Sequence, residues 1–190
     1  MPGITDRSTR EPLLKTLRLG HGTLECVDLN QTRRFYEEVL GLEVLQPSPV
    51  SLMVRKDTNH VYAVVETGKV NKEMNMLNHN GLDVASPEAV DEAYELLQKV
   101  KDEYGIKKIQ KPRHSHGDHA FYFCDLDGNW WEIVAVEPGG YAKDYEERLD
   151  LTGRHDLDEV TGSVTHIHTH APEFRAKYFK SQSPADNDKR

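Results

Sequence analysis

The chain has 190 residues, with 24 basic and 32 acidic side chains and a formal net charge of −8. That length suits one domain of ordinary size, and an acidic chain without a basic block disfavours nucleic acid as a partner. The sequence contains no run of about 18 apolar residues, so it predicts no membrane span. Two cysteines exclude a disulfide framework, and the polar first 20 residues lack the apolar stretch of a signal peptide. We therefore expect a cytoplasmic protein that binds neither nucleic acid nor membrane.

The first half of the chain predicts a strand, a helix and three further strands. A short apolar strand covers 23–27, and Asp28 or Asn30 can cap the helix that follows. Gly41 supplies the signal that ends this helix. Three more strands are predicted at 42–45, 51–55 and 61–66, separated by prolines and a polar turn.

The second half predicts the same order of elements. A strand covers 80–84, and Ser86 with Pro87 begins a helix that runs to about 104 and ends at Gly105. The closing strands are predicted at 107–110, 120–124 and 131–136. The turn 125–129, Asp-Leu-Asp-Gly-Asn, has the residues of a hairpin connection.

An internal repeat supports this parallel. His21-Gly-Thr-Leu matches His79-Asn-Gly-Leu at an offset of 58, and Tyr36-Glu37 matches Tyr94-Glu95 at the same offset. We predict an α+β fold of two βαβββ modules, about 17–70 and 75–138, that form an open, mostly antiparallel barrel around a metal site. An N-terminal arm, 1–16, precedes this domain, and a polar tail, 139–190, follows it with a disordered end.

Three residues stand where two such modules would bring strands together. His21 and His79 occupy equivalent positions in the repeat, and Glu132 lies in the last predicted strand. Two imidazoles and one carboxylate suit Fe(II) or Mn(II) and leave coordination positions open for substrate and O2. The alternative is that both histidines lie at strand ends without a ligand and that Glu132 is a surface acid.

The first module resembles the opening of the vicinal oxygen chelate superfamily, which includes glyoxalases, bleomycin resistance proteins and dioxygenases. The similarity starts at His21-Gly-Thr-Leu and continues through Arg34-Phe-Tyr to Leu40-Gly-Leu. The closing hairpin, Asp125-Leu-Asp-Gly-Asn-Trp-Trp-Glu132, is similar to the superfamily's metal-ligand hairpin. The resemblance is closest to one-domain type I extradiol ring-cleavage dioxygenases, whose signature appears here as His114, Phe121-Tyr122, Asp125, Gly128 and Glu132.

This resemblance implies an enzyme that opens a catechol-type aromatic diol with O2 at an Fe(II) centre, with Mn(II) as the other metal. It implies His21, His79 and Glu132 as metal ligands and His114 as a substrate-binding residue. Tyr122 would donate a hydrogen bond to a substrate oxygen, and His60, which precedes the second metal histidine, would be the acid/base. The family also implies a homodimer or a higher homo-oligomer. Leu126 departs from the signature, which usually has Pro there, and Pro112 departs two residues before His114.

Other functions remain open. A glyoxalase-type isomerase or lyase would add a fourth, acidic ligand, but Tyr62 stands at the matching position and Glu66 is the rival acid on the same strand face. A thiol-transferring resistance enzyme would use the same three ligands, and a metal-free protein of this fold would bind a small molecule without catalysis. In the tail, His166, His168 and His170 could form a further metal-binding tract, although a surface strand is the simpler interpretation.

Overall fold

The computed structural model describes residues 4–56, 60–70, 74–115, 118–136, 138–146 and 150–157. In the first module β1 (His21–Cys26) leads to α1 (Leu29–Glu38), and β2 (Glu43–Ser48), β3 (Ser51–Arg55) and β4 (Val61–Glu66) follow. The second module contains β5 (His79–Val84), α2 (Pro87–Val100), β6 (Lys108–Ile109), β7 (Arg113–Ser115), β8 (Asp118–Cys124) and β9 (Trp130–Ala135). A short helix α3 (Ala142–Glu146) and a 3-10 turn (His155–Leu157) come after them.

The two modules form two separate sheets. In the first sheet the strand order is β1-β4-β3-β2, and in the second it is β5-β9-β8-β6, with β7 beside β8. Each sheet has one parallel pair, β1 with β4 and β5 with β9, and its other pairs are antiparallel. The predicted α+β fold of two βαβββ modules is confirmed, although the described strands form no closed barrel.

Local sequence explains the helix ends. The Asp28 carboxylate accepts a hydrogen bond from the Gln31 amide at 2.8 Å and caps α1, and the Ser86 hydroxyl caps α2. Gly41 and Gly105 follow the helices with φ of 62° and 67°, a conformation that favours glycine. Helix α2 ends at Val100, several residues before the predicted end, because the chain passes through turns between Lys101 and Gly105.

Alternation along the strands gives each sheet two faces. We call the side that packs against the helices the helix face, and the other side the open face. In β1 and β4 the buried side chains of Leu24, Cys26 and Val64 belong to the helix face. In β8 and β9 the helix face carries Phe121, Phe123, Trp131 and Ile133, all of them buried.

Helix α1 joins the modules by packing on the helix face of the second sheet. The Phe35 ring lies 6.5 Å from that of Phe123, and the Tyr36 ring lies 5.6 Å from that of Trp131, centroid to centroid. Burial of aromatic surface of this size is a main source of the stability of such a core.

The short strand β7 and the helix α3 were not predicted, and α3 lies inside the region expected to be an irregular tail. The arm before β1 contacts the segment that follows α3. The Thr5 carbonyl accepts a hydrogen bond from the Gly153 amide, and the Arg7 guanidinium pairs with the Asp150 carboxylate at 2.6 Å.

The predicted His166, His168 and His170 tract lies outside the described residues. No helix in the described part of the chain has the length and apolarity needed to cross a bilayer.

Candidate metal centre

The parallel pairing of β5 and β9 brings His79 and Glu132 together on the open face of the second sheet. Gly81 is the register partner of Glu132, and His79 is the partner of Trp130. The imidazole Nε2 of His79 lies 3.3 Å from Oε2 of Glu132. Both side chains are mostly buried, and a Cβ at Gly81 would come within 3.8 Å of the same carboxylate oxygen. Glycine at this position leaves space above the pair.

A backbone carbonyl fixes the tautomer of His79. Its Nδ1 atom lies 2.8 Å from the carbonyl oxygen of Met76, and because a carbonyl only accepts, Nδ1 must carry the proton. In a neutral imidazole Nε2 then presents a lone pair toward the Glu132 carboxylate. A cation that both the His79 Nε2 atom and the Glu132 carboxylate can bind would stabilise two electron-pair donors at this distance. A backbone carbonyl that accepts from the other ring nitrogen is a common support for a metal-bound histidine. The pair fits a divalent cation.

Tyr122 is the third polar group at this place. It is the register partner of Glu132 across β8 and β9, and its ring lies 4.8 Å from that of His79. Burial and the hydrogen bond to Glu132 raise the pKa of the Tyr122 phenol well above its ordinary value, while Arg113 opposes this shift. The hydroxyl therefore stays neutral and can donate at physiological pH.

The segment that leads into β5 covers this part of the open face. Met74 and Met76 pack against Tyr122 and Trp130 together with the buried thiol of Cys124. The Met74 amide donates to the Gly128 carbonyl at 3.2 Å, which attaches the segment to the turn between β8 and β9. Apolar side chains around a histidine and a carboxylate restrict the access of water and strengthen the electrostatic attraction of a cation.

His21 lies on the other sheet. Its register partner is Val61 of β4, and its side chain is exposed on the open face of the first sheet. Among the described residues, no group of three histidine, cysteine, aspartate or glutamate side chains could hold a metal ion. A single chain thus brings His79 and Glu132 together and does not bring His21 to them.

The two other predicted histidines lie away from the open face that carries Tyr122. The His60 ring packs edge to face on the Tyr62 ring at 5.1 Å, in a cavity between the modules. His114 pairs in register with His119, and their rings lie 4.6 Å apart. Since His119 alternates with Tyr122 along β8, His114 is on the helix face of this sheet.

The rival acid of the first module is engaged elsewhere. The Glu66 carboxylate accepts a hydrogen bond from the Leu29 amide at 3.0 Å, at the start of α1. Tyr62 and Glu66 share the helix face, as alternation along β4 predicts, and both therefore point away from the open face with His21. The first module thus offers no acidic fourth ligand on the strand that the isomerase interpretation requires.

Two basic residues of the open face were missed by the sequence interpretation. The Arg113 guanidinium lies 5.9 Å from the centre of the Tyr122 ring, and the Lys108 ammonium lies 5.9 Å from that of Trp130. Both follow from strand pairing, because Arg113 is the partner of Ala120 and Lys108 the partner of Cys124. In the sequence, Arg113 and Lys108 are recognisable only as basic residues near short strands. The register that decides which face each side chain occupies is set only in the folded sheet.

Two βαβββ modules, with a partly buried histidine and a buried carboxylate side by side on one open face, define the class of α+β protein to which the chain belongs. The model of the Glyoxalase/Bleomycin resistance protein/Dioxygenase superfamily matches residues 18–133, and the chain belongs to this superfamily. Members of this superfamily are usually metal-dependent enzymes that act on small molecules. The resemblance seen in the sequence is thereby confirmed at the level of the superfamily.

Solved structures share the fold. The fosfomycin resistance protein FosX from Listeria monocytogenes, in complex with Mn(II) and sulfate, is 22% identical with a TM-score of 0.51 and covers 70% of this chain and 99% of its own. A possible glyoxalase from Bacillus cereus is 20% identical with a TM-score of 0.51, over 63% of this chain and 100% of its own. The hypothetical protein SA1046 from S. aureus is 23% identical with a TM-score of 0.50, over 66% and 100%. No curated protein matches the chain.

Proposed function

We propose that the protein is a metal-dependent dioxygenase that cleaves a catechol-type ring beside its two hydroxyl groups. The observation that carries the proposal is the approach of His79 Nε2 to Glu132 Oε2 at 3.3 Å, with the Tyr122 ring 4.8 Å from that of His79. A histidine, a buried carboxylate and a neutral phenol on one face suit a substrate that binds through adjacent oxygens. His79 and Glu132 would hold Fe(II), or Mn(II) in its place.

His21 would complete the ligand set from a second copy of the chain. It is exposed on the open face of β1, the outer strand of the first sheet, and β5 with His79 is the outer strand of the second. The internal repeat makes His21 and His79 equivalent, which supports a shared site in a homodimer. Metal affinity would then depend on protein concentration, because dilution into monomers removes one ligand.

The residues around the metal would each have a defined task. The bound metal supplies open positions where a catechol and O2 meet and exchange electrons. Tyr122, held neutral by burial, would donate its proton to a substrate oxygen in a hydrogen bond. Met74 and Met76 would exclude water from the aromatic ring of the substrate. The resemblance gives His60 the role of acid/base and His114 that of a substrate-binding residue. In a single chain both lie away from the face with Tyr122, so kinetic variants of each decide whether they take part.

Ring cleavage gives a coloured product and can be tested directly. Protein purified without air, loaded with Fe(II) and mixed in air with catechol, 3-methylcatechol or 2,3-dihydroxybiphenyl should turn yellow. Glu132→Gln should lose the colour together with bound metal, whereas the matched change Glu95→Gln on the exposed side of α2 should keep both. A protein that holds full metal and forms no coloured product with any of these diols contradicts the proposal.

Variants of the two remaining histidines separate their roles from the metal site. If His60 is the acid/base and His114 binds substrate, His60→Ala should lower kcat and His114→Ala should raise KM for the diol, both with full metal content. Unchanged kinetic constants in both variants would remove these residues from the mechanism and leave Tyr122 as the proton donor at the site.

The basic residues of the open face favour a second candidate, an enzyme that acts on a small phosphonate. Arg113 and Lys108 flank Tyr122 and Trp130, and such cations suit an anionic substrate. A mutant of FosX from Listeria monocytogenes has been solved with Mn(II) and 1S,2S-dihydroxypropylphosphonic acid. Incubation of the Mn(II)-loaded protein with fosfomycin, followed by ³¹P NMR, tests this candidate. A new phosphonate signal that disappears in Arg113→Ala would favour it over ring cleavage.

A further inference from the structure

A cavity of about 650 Å³ lies between the two modules. Its walls come from the segment just after α1, from β3 and β4, and from β5, β8, β9 and α2, and most of them are apolar. This volume is in the range of pockets that enclose a small organic molecule. Leu96 of α2 lines the cavity and is 58% exposed, so an apolar side chain borders the opening.

Strand β5 separates this cavity from the candidate metal centre. His79 and Asn80 are consecutive residues of β5, and their side chains point to opposite faces of the sheet. Asn80 and Leu82 pair with Trp131 and Ile133 on the helix face, and all four residues line the cavity. The cavity therefore lies on the helix face of β5, and the backbone of Gly81, the register partner of Glu132, is part of the wall between the cavity and the open face.

Asn80 supplies an unused hydrogen-bond donor at the cavity wall. Its Nδ2 atom is buried and has no hydrogen-bond partner among the described residues. A buried donor left in this state destabilises the folded chain, and an acceptor on a bound molecule would remove that cost once the amide turns toward it. The Tyr62 phenol also lines the cavity, and burial raises its pKa, so it stays neutral.

The charged residues at the cavity already have partners. The Arg55 guanidinium pairs with the Glu43 carboxylate at 2.7 Å, and the Lys56 ammonium donates to the Gly41 carbonyl at 2.7 Å. A charged ligand would have to compete with these contacts, whereas an uncharged one would leave them intact. Of the other polar residues that line the cavity, His60 and Asp83 also have interactions with the protein, which leaves the Asn80 amide and the Tyr62 phenol among apolar side chains.

We propose that this cavity is a second ligand site, which takes an uncharged, mostly apolar molecule with one carbonyl-type acceptor for the Asn80 amide. The ligand lies against the helix face of β5, while His79 stays on the other side of the same strand. Binding there is independent of bound metal. The site exists in each chain, since residues of one copy form all of its walls.

The test uses 6-propionyl-2-(dimethylamino)naphthalene, an uncharged fluorophore with a ketone whose emission shifts to the blue in apolar surroundings. Titration into the full chain without added metal should give saturable binding of one probe per chain, with a Kd of roughly 10–100 µM. Ala93→Phe fills the cavity from α2 and should weaken binding at least about tenfold. The neighbouring change Glu92→Phe adds the same ring on the exposed side of α2 and should leave the Kd unchanged.

Two further measurements keep the result interpretable. If Ala93→Phe does not fold, as judged by its thermal transition, Leu96→Phe at the opening replaces it. Asn80→Leu should weaken the ketone probe about five- to tenfold and leave 2-(dimethylamino)naphthalene, which lacks the ketone, within twofold of the wild-type value. Non-saturable binding, equal losses in Ala93→Phe and Glu92→Phe, or no difference between the two probes in Asn80→Leu would each overturn the proposal.

Discussion

The hydroxyl of Thr32 donates a hydrogen bond to Oδ2 of Asp127 at 2.7 Å, from the first turn of α1 to the turn between β8 and β9. The other oxygen of Asp127 accepts from the amide of Val27 at 2.8 Å. The hairpin turn of the second module thus satisfies two polar groups at the junction of β1 and α1. A buried carboxylate with partners from the other module fixes how the modules meet, because few other arrangements would satisfy it.

Removal of this carboxylate should weaken the contact between the modules. We expect Asp127→Ala to lower the free energy of unfolding by roughly 2–4 kcal/mol, because the Val27 amide and the Thr32 hydroxyl lose their acceptor in a buried place. Urea unfolding followed by tryptophan fluorescence measures this change. Asp102→Ala, on the exposed surface just after α2, is the matched control and should stay within about 0.5 kcal/mol of wild type.

A double-mutant cycle with Thr32→Val isolates the hydrogen bond itself. Valine has nearly the same shape as threonine and removes only the hydroxyl. If the loss in the double variant equals the sum of the single losses, Thr32 and Asp127 do not interact and the inter-module role of this hydrogen bond is wrong.

Any residue larger than glycine at position 22 should lower the stability of the folded protein. A Cβ at this position would lie 2.6 Å from Cε1 of Tyr62, so the Tyr62 ring would have to leave its place beside His60. We expect Gly22→Ala to destabilise the protein by about 1–3 kcal/mol. Gly20→Ala is the control, because a Cβ there meets no atom within 4 Å. Thermal unfolding of both variants measures the difference, and equal midpoints would show that the Tyr62 ring moves without cost.

The Cys26 thiol should be inert at neutral and mildly alkaline pH. Burial, with the nearby Asp127 carboxylate, raises its pKa from 9.0 to about 11. Thiolate is the reactive form, so at pH 8 the native thiol should react with a disulfide reagent at least about 100 times more slowly than in denaturant.

Between pH 9 and 11 the unfolded chain loses the Cys26 proton first, so the stability contributed by Cys26 should fall as pH rises. Cys26→Ser should make this slope shallower, while buried phenols such as Tyr122 keep their own share of it. Fast labelling of Cys26 in the native protein at pH 8 would contradict the assignment.

The sequence predicted the fold better than it predicted the site. Helix caps such as Asp28 and Ser86 are local, and they predicted where the helices begin. The sequence analysis assigned His79 and Glu132 to one site, and parallel pairing of their strands sets the two side chains 3.3 Å apart, while their role as metal ligands stays a prediction. That His21 binds the same metal as His79 and Glu132 stays a prediction. His21 lies in the first sheet, and the position of that sheet relative to the second depends on how α1 packs between the modules.

The case of His114 shows why strand register limits such predictions. A shift of one residue along β7 moves a side chain to the other face, and the register places Arg113, rather than His114, on the face with Tyr122. The motif pointed to His114 in this segment, but the pairing of a strand of three residues, which the sequence did not predict, determines which residue faces the open side.

The ionisation of the Tyr122 phenol can be predicted and measured without metal or substrate. Burial raises its pKa well above the ordinary value of 10.0, and the Glu132 carboxylate, its hydrogen-bond partner, adds to the shift because an ionised phenol beside it would be repelled. At pH 10.5 the native protein and Tyr122→Phe should therefore show the same phenolate absorbance at 295 nm, since Tyr122 contributes none. In denaturant at the same pH, wild type should exceed the variant by the absorbance of about three quarters of one phenolate, because the unfolded phenol ionises normally. An equal excess in the native protein would mean that water reaches Tyr122 and that the open face beside Glu132 is not the dry site required for ring cleavage.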